Sequence, residues 1–233
     1  MKEQKSWAWE RLESIPSTNE YIKTKRLDGK NLIVTAQSQT QGRGTKGRSF
    51  DSSKGGVYLS RLEFFDDFLS RDGFLIMVRA AVSVCNVISE FGLTPIIKWP
   101  NDIHVNGKKI CGILIENTFS GDKIRNSIVG IGLNVNNVLP DSLTDIAITM
   151  QFALGKELDV DKVTERLVLE LSKPHTIEKY QSYLGYMGRE AQLLIGDELV
   201  PATLLSVDER GGLWVCIGKE ERRLTAAEVQ IKL

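Results

Sequence analysis

From Gln39 to Phe50 the chain reads Gln-Thr-Gln-Gly-Arg-Gly-Thr-Lys-Gly-Arg-Ser-Phe, and this stretch restricts the fold more than any other. Gly42, Gly44 and Gly47 let the backbone come close to a ligand, and Arg43, Lys46, Arg48 and nearby Lys54 supply positive charge. A glycine-rich cationic loop suits a small polyanion. Two known patterns match it. Gly42-x-Gly44-x-x-Gly47 fits a dinucleotide fingerprint, and Gly42-x4-Gly47-Arg48-Ser49 is a P-loop with Arg in place of Lys. Either pattern requires the loop to open a helix. Here Ser49 to Gly56 has no apolar periodicity, β-rich Asn31 to Ala36 precedes the loop, and strand-like Val57 to Phe64 follows it. A strand-to-strand loop is neither motif.

The elements around it follow in order. Ser17-Thr18-Asn19-Glu20 after Pro16 reads as a capping box, with Ser17 capping and Glu20 reaching back, and predicts a short helix through about Arg26. From Asp72 to Phe91, apolar residues recur at helical spacing and Gly92 stops them, which predicts a core helix with no chemistry of its own. Pro95 to Pro100 reads as a strand ended by proline. Asp102 to Val105 then meets Lys109 to Ile115 across Asn106-Gly107, a strong hairpin signal that sets Asp102 and Lys109 on neighbouring strands. Ile124 to Val135 predicts another strand, and Asp161 to Tyr183 a helical stretch interrupted near Pro174. His104 reads as a strand-surface residue and His175 as a loop residue.

From about Gly188 the pattern changes to short strands, 191–195, 200–207 and 213–217, separated by polar turns. This spacing suggests a small β-barrel of roughly 45 residues. The expected division is a main domain over 1–187 and a small one over 188–233, and the expected class is α+β, a mixed or antiparallel sheet flanked by helices. In a chain of 233 residues, 30 basic and 30 acidic side chains cancel, which disfavours a nucleic-acid binder. The cations that cluster, at 43–54 and 98–109, point instead to a local anion site. Cys85, Cys111 and Cys216 read as reduced core residues of a cytoplasmic protein, since no Cys pair has ligand spacing and the N-terminus lacks the apolar core of a secretory signal. No membrane span is expected.

Read together, the loop, Lys98-Trp99-Pro100-Asn101-Asp102, Gly107 to Glu116, and Gly130-Ile131-Gly132-Leu133-Asn134-Val135-Asn136 resemble, in order and spacing, the motifs of biotin–protein ligases. The matched motifs cover roughly half the chain. The resemblance implies a class II synthetase-like catalytic domain with an SH3-like C-terminal cap. It also implies formation of biotinyl-5′-AMP from biotin and ATP, with Mg²⁺, and transfer of biotin to a lysine of a carboxylase's biotin carboxyl carrier domain. It implies a biotin site at Ser17, Thr18, Asn19, Gln39, Gly42, Arg43, Gly44, Thr45, Lys109, Gly112, Gly130 and Gly132. The implied ATP site is Arg43, Arg48, Lys98, Trp99, Asn101, Lys109 and Asn134, with Arg43, Lys109 and Asp102 catalytic and Asn101 or Asp102 facing the metal. Asp102 is left open between proton acceptor, orienter and metal ligand. Only sixteen residues precede Ser17, so the expectation is a ligase without a DNA-binding domain; a homodimer is left open. Three positions depart from the usual pattern: Phe50 replaces a common Trp, Thr45 a frequent Arg, and Lys232 a frequent Arg. Two alternatives stand beside this reading: a lipoate–protein ligase or lipoyl/octanoyl transferase, and a non-enzymatic biotin-sensing module.

Overall fold

The computed structural model describes residues 7–25 and 29–232. Its strands are β1 (Trp7–Ile15), β2 (Asn31–Gln39), β3 (Val57–Phe64), β4 (Ile96–Lys98), β5 (Asp102–Val105), β6 (Lys108–Ser120), β7 (Lys123–Leu133), β8 (Glu190–Ile195), β9 (Glu198–Val207), β10 (Leu213–Ile217), β11 (Glu220–Leu224) and β12 (Val229–Lys232). Its helices are α1 (Thr18–Lys23), α2 (Phe74–Glu90), α3 (Met150–Leu154), α4 (Val160–Glu170) and α5 (Ile177–Ser182). Among the described residues, β1 to β7 form one sheet in the order β1-β2-β3-β7-β6-β5-β4. The β1–β2 pair is parallel and every other pair antiparallel.

Period-two alternation divides this sheet between two layers. Ile33, Leu59, Val129, Ile131 and Ile113 join the large core that includes the buried face of α2, from Ile76 to Ile88. Leu32, Val34, Leu62 and Ile128 point the other way and, with Ile22 of α1, make a smaller cluster. By length and composition Ser70–Glu90 could cross a membrane. Its buried residues instead pack among the strands as those of a core helix. The expected α+β class with a mixed sheet flanked by helices is the one observed.

The C-terminal strands form a second sheet, β11-β10-β9-β8-β12, with all pairs antiparallel. β11 and β12 are its edges, so the recorded pairing is that of an open sheet. Leu193, Leu204, Val207, Leu213, Val215 and Ile231 belong to the same apolar core as α2. Trp99 Nε1, just after β4, donates to Gly211 O at 3.2 Å, and Gln181 Nε2 of α5 to Val207 O at 2.6 Å, so polar contacts also tie the second sheet to the rest.

Several local expectations are corrected. Ser17 occupies the N-cap of α1 but its side chain makes no capping bond, and Glu20 turns to Lys23 and Arg43. The last helical residue is Lys23; the expected end at Arg26 lies outside the described residues. β1, β11 and β12 have no counterpart among the expected strands. β1 is half-exposed, with charged residues at Glu10, Arg11 and Glu13, and its parallel partner lies 24 residues further along the chain (Trp7↔Asn31). Its strand character comes from that pairing.

Candidate active site

The cleft of the first sheet is built around an unusual floor. Three strands bring Ser60, Gly130 and Leu114 into register, and next to them Tyr58, Gly132 and Gly112. The glycines leave room that other side chains fill. A Cβ on Gly130 would collide with Asn19 Oδ1, and one on Gly132 would lie 2.6 Å from Phe50 Cε1. The result is a cavity of about 620 Å³ between the sheet, the start of α1, the glycine loop and the segment from Leu139 to Ala147.

One end of this cavity is neutral and polar. Ser17, Thr18 and Asn19 are all buried at the beginning of α1 and line the cavity. Gln39 Oε1 accepts from Thr18 N at 2.8 Å and from Thr18 Oγ1 at 3.1 Å, and Gln39 Nε2 donates to Ser52 Oγ at 2.9 Å. Ser60, fully buried in β3, is hydrogen-bonded to Thr18 Oγ1 at 2.7 Å and to Asn19 Oδ1. Asn19 Nδ2 donates to Glu116 Oε2 at 2.8 Å. Thr18, Asn19 and Gln39 are thereby held by partners from other segments, which fixes them before any ligand arrives, while the side chain of Ser17 makes no capping bond.

The other end is cationic. The Asn106-Gly107 turn, with φ of 51° and 76°, closes the β5–β6 hairpin, and Lys109 Nζ lies 2.7 Å from Asp102 Oδ1. A bulge between Ile103 and His104 shifts the register there. Lys98, beside Asp102 across β4 and β5, has its ammonium pKa pushed down, first by burial and then by Lys232, Lys109 and Arg48, while Asp102 opposes the shift. The glycine loop runs from β2 to β3 as expected, with one turn of 3₁₀ helix over Thr45–Gly47. Phe50, at its far end, covers Gly132, and Lys109 Nζ sits 5.9 Å from its ring centre.

Most of the expected site residues meet in this one cavity. Ser17, Thr18, Asn19, Gln39, Arg43, Gly44, Thr45, Arg48, Asn101, Asp102, Lys109, Gly112, Gly130, Gly132 and Asn134 line it. Gly42 and Lys98 are outside that lining. Gly42 packs under Phe50 O and Ser52, where no Cβ fits, and Lys98 lies beside Asp102 across β4 and β5. The expectation for Trp99 is corrected. Its ring is 4% exposed and its N–H is used on Gly211, so it joins the two sheets and has no open face for a nucleotide. Asn134 lines the cavity, but its amide is engaged by Ile148 O and Asn137. His104 lies on β5 with Nδ1 3.3 Å from Gly107 O, and burial keeps it below the ordinary imidazole range. Among the described residues no group of three or more His, Cys, Asp or Glu is arranged to hold a metal ion.

The sequence profile of the biotin/lipoate A/B protein ligase family matches residues 11–134, more than half of the chain. The chain belongs to this family. It is 32% identical over 218 residues to the bifunctional ligase/repressor BirA of Bacillus subtilis, a match covering 85% of this chain and 66% of that relative, so it spans somewhat less than two thirds of the relative's length. It is 24% identical over 244 residues to the biotin–[acetyl-CoA-carboxylase] ligase of Mycobacterium tuberculosis, covering 95% of this chain and 89% of that one. The solved structure of the biotin protein ligase from Aquifex aeolicus in complex with biotin and ATP superposes with a TM-score of 0.78 at 29% identity, covering 97% and 98% of the two chains.

In this member of the biotin/lipoate ligase family, sequence reasoning missed two parts of the site. One is the wall made by Leu139, Leu143, Ile146 and Ala147, held over the cavity by Lys109 N donating to Ile146 O and Ile148 N to Lys109 O, both at 2.9 Å. Its only sequence signal is an apolar residue every few positions in an otherwise polar loop. The other is Ser60, which sits between Leu59 and Arg61 in β3 and is fully buried there; its neighbours in the chain carry no signal of that role.

Proposed function

We propose that this chain is a biotin–protein ligase: it condenses biotin with ATP to biotinyl-5′-AMP and pyrophosphate, then passes the biotinyl group to a lysine of a carboxylase carrier domain. The observation that carries this reading is a single cavity with a fixed neutral polar end at Ser17, Thr18 and Asn19 and a cationic end at Arg43, Arg48 and Lys109. Biotin has that polarity. Its ureido ring offers two N–H donors and a carbonyl acceptor, and its carboxylate, with a pKa near ~4 for such groups, is an anion at neutral pH.

The first half-reaction needs no general base, because the nucleophile is already ionised. Its difficulty is bringing a carboxylate against a triphosphate carrying roughly four negative charges, which calls for positioning and fixed positive charge. Arg43 supplies a planar fork for carboxylate and phosphate oxygens. Lys109, a point charge on the sheet, bridges the attacking oxygen and the α-phosphate. The carboxylate oxygen bonds to phosphorus as the bond to the pyrophosphate oxygen breaks. The apolar side chains of Leu139, Leu143 and Ile146 along the cavity offer a surface for the nucleotide base.

Mg²⁺ fits these residues only as an ion held mainly by substrate phosphates and water. The donor set here is one carboxylate, Asp102, already paired with Lys109, and Asn101, whose Nδ2 donates to Ile113 O at 2.8 Å and leaves Oδ1 outward. Those two oxygens would face it, and when bound it draws charge from the leaving group. In the second half-reaction the incoming lysine, with an ordinary pKa near ~10.4, must lose a proton. Asp102, with Oδ1 on Lys109, has Oδ2 left to orient that amine. The amine attacks the acyl carbon, its proton passes to Asp102 Oδ2 or to water, and the acyl–oxygen bond breaks to release AMP.

A lipoate substrate fits less well. Its dithiolane ring has no N–H or carbonyl, so it offers the polar end no hydrogen bond in return for covering it. The test is pyrophosphate exchange into ATP, with biotin or lipoate as the acid. Exchange should depend on biotin and ignore lipoate; lipoate-dependent exchange, or none with either acid, would overturn the reading.

A further inference from the structure

The loop that carries Arg43 and the polar end that carries Asn19 are joined by charged contacts that the scheme above does not use. Arg43 Nη1 lies 2.8 Å from Glu20 Oε1. The same oxygen receives Lys23 Nζ at 2.8 Å, and Lys23 Nζ also reaches Glu116 Oε1 at 2.7 Å. The second oxygen of Glu116 accepts from Asn19 Nδ2 at 2.8 Å. The members come from the glycine loop, α1 and β6, so the chain of contacts spans the mouth of the cleft from one end to the other.

We propose that Glu20 is a positioning residue that aims Arg43 into the cleft, with Lys23 and Glu116 tying that aim to the amide of Asn19. The proposal rests on the ligase reading above.

Three features of the geometry support it. Arg43 sits on a loop with its side chain 57% exposed, so without a partner its guanidinium would sample many rotamers. Glu20 engages Nη1, and Nε and Nη2 carry no bond among the described residues; the fork keeps donors for an anion while its base is held. A carboxylate beside an anion site would ordinarily repel the substrate. Here two cations and two carboxylates alternate, so the chain adds no net negative charge. Lys23's bond, more than Arg43's charge, keeps the Glu20 carboxyl below its ordinary range, so Glu20 remains a carboxylate.

The Asn19 end follows the same logic. Glu116 as a carboxylate can only accept, so the amide nitrogen of Asn19 faces it and the oxygen is turned towards Ser60 and the space above Gly130. A ligand group that pulls on Asn19 therefore pulls on the same contacts that hold Arg43. Occupation of the neutral end and closure of the cationic loop are coupled through Glu116, Lys23 and Glu20.

The experiment measures the off-rate of preformed biotinyl-5′-AMP from wild type, Glu20→Ala, Arg43→Ala and the double variant, together with amide hydrogen exchange over 42–50 in the empty proteins. Glu20→Ala should speed dissociation by about fivefold, the most an exposed ion pair supplies, and should speed loop exchange in the empty protein by a similar factor. In the Arg43→Ala background the same change should have no further effect. Glu20→Gln, which still accepts a hydrogen bond, should restore part of the loss. A purely structural role in α1 would instead lower biotin affinity and melting temperature equally in both backgrounds. An unchanged off-rate with unchanged loop exchange, or an equal effect with and without Arg43, would overturn the proposal. The exchange measurement needs no activity, so the positioning role can fail while the ligase assignment stands, and the reverse.

Discussion

Two aspartate–cation pairs, one in the cleft and one in the C-terminal sheet, look alike in sequence and differ in what they leave unused. Asp208 is saturated. It accepts from Arg223 Nε at 2.6 Å and Nη2 at 3.1 Å, from Arg210 N and Gly212 N at 2.9 Å each, and from Trp214 Nε1 at 3.1 Å. Those bonds, Arg223's first, hold its carboxyl at about 2. Asp102 has one hydrogen-bonded partner among the described residues, Lys109 at 2.7 Å, and Lys98 as a nearby charge. The saturated pair locks the Asp208–Gly212 turn, which closes β9 onto β10. The unsaturated pair, which lines the cavity, keeps two ammonium N–H donors and the whole of Asp102 Oδ2, and that unspent capacity is what a reaction can use.

The comparison breaks most visibly at Lys109. Lys109→Ala should lower biotin-dependent pyrophosphate exchange by about 10²–10³-fold, the usual cost of removing one preorganised charge donor at a developing anion. Biotin affinity by calorimetry should fall only modestly, and the melting temperature should barely change. Exchange near the wild-type rate would show that this pair is as structural as Asp208–Arg223.

Next in size is the floor beneath the pair. Gly130→Ala drives a methyl into Asn19, whose amide is fixed on two sides, whereas Gly132→Ala meets only the Phe50 ring on the loop. Overpacking costs about 1–3 kcal/mol, so Gly130→Ala should weaken biotin binding by roughly 5- to 150-fold, with a smaller loss for Gly132→Ala. Equal losses would mean that the loop is as rigid as the sheet.

Thr45 sharpens the contrast from the loop side. It lines the cavity, and its hydroxyl accepts from Arg48 Nη2 at 3.3 Å. Thr45→Arg adds a charged donor there and should slow loss of biotinyl-5′-AMP by about tenfold, the value of the weaker charge-assisted hydrogen bonds. An unchanged off-rate would show that the loop presents this position to solvent.

The smallest effect belongs to the saturated pair. Asp208→Asn should leave exchange activity intact and lower the melting temperature at pH 7 by about 2–4 °C, the response to about 1 kcal/mol in a chain of this size. A carboxylate whose folded pKa is depressed, here from 3.8 to about 2, contributes stability that is present above pH 3.8 and lost as pH falls towards 2. Wild type and variant should therefore differ at neutral pH and converge near pH 2. A gap that persists at pH 2 would rule out the charge as its source.

Several features were legible without coordinates because they depend on neighbours in the chain. The strand-to-strand course of the glycine loop, the Asn106-Gly107 hairpin that pairs Asp102 with Lys109, and the helix ending at Gly92 all follow from local conformational preference and periodicity. Glu20 shows where this stops. Its spacing from Ser17 is that of a capping box, but Lys23 and Arg43 offer charged partners and win over the weaker neutral contact. Trp99 is similar: within its motif it looked outward, and the C-terminal sheet buried it.

Residue order and composition alone determined the mixed α+β class, the cationic loop and the four motifs that lead to the family. Tertiary structure alone decided that β1 is a strand, that Leu139 to Ala147 walls the cavity, that Ser60 lies beneath Asn19, and that Arg43 is held by Glu20. Turn chemistry and amphipathic periods act over a few residues and are written in the local sequence. Pairing partners, buried hydroxyls and ion-pair choice depend on groups brought together from distant positions, and their energies exist only once the chain has closed around them.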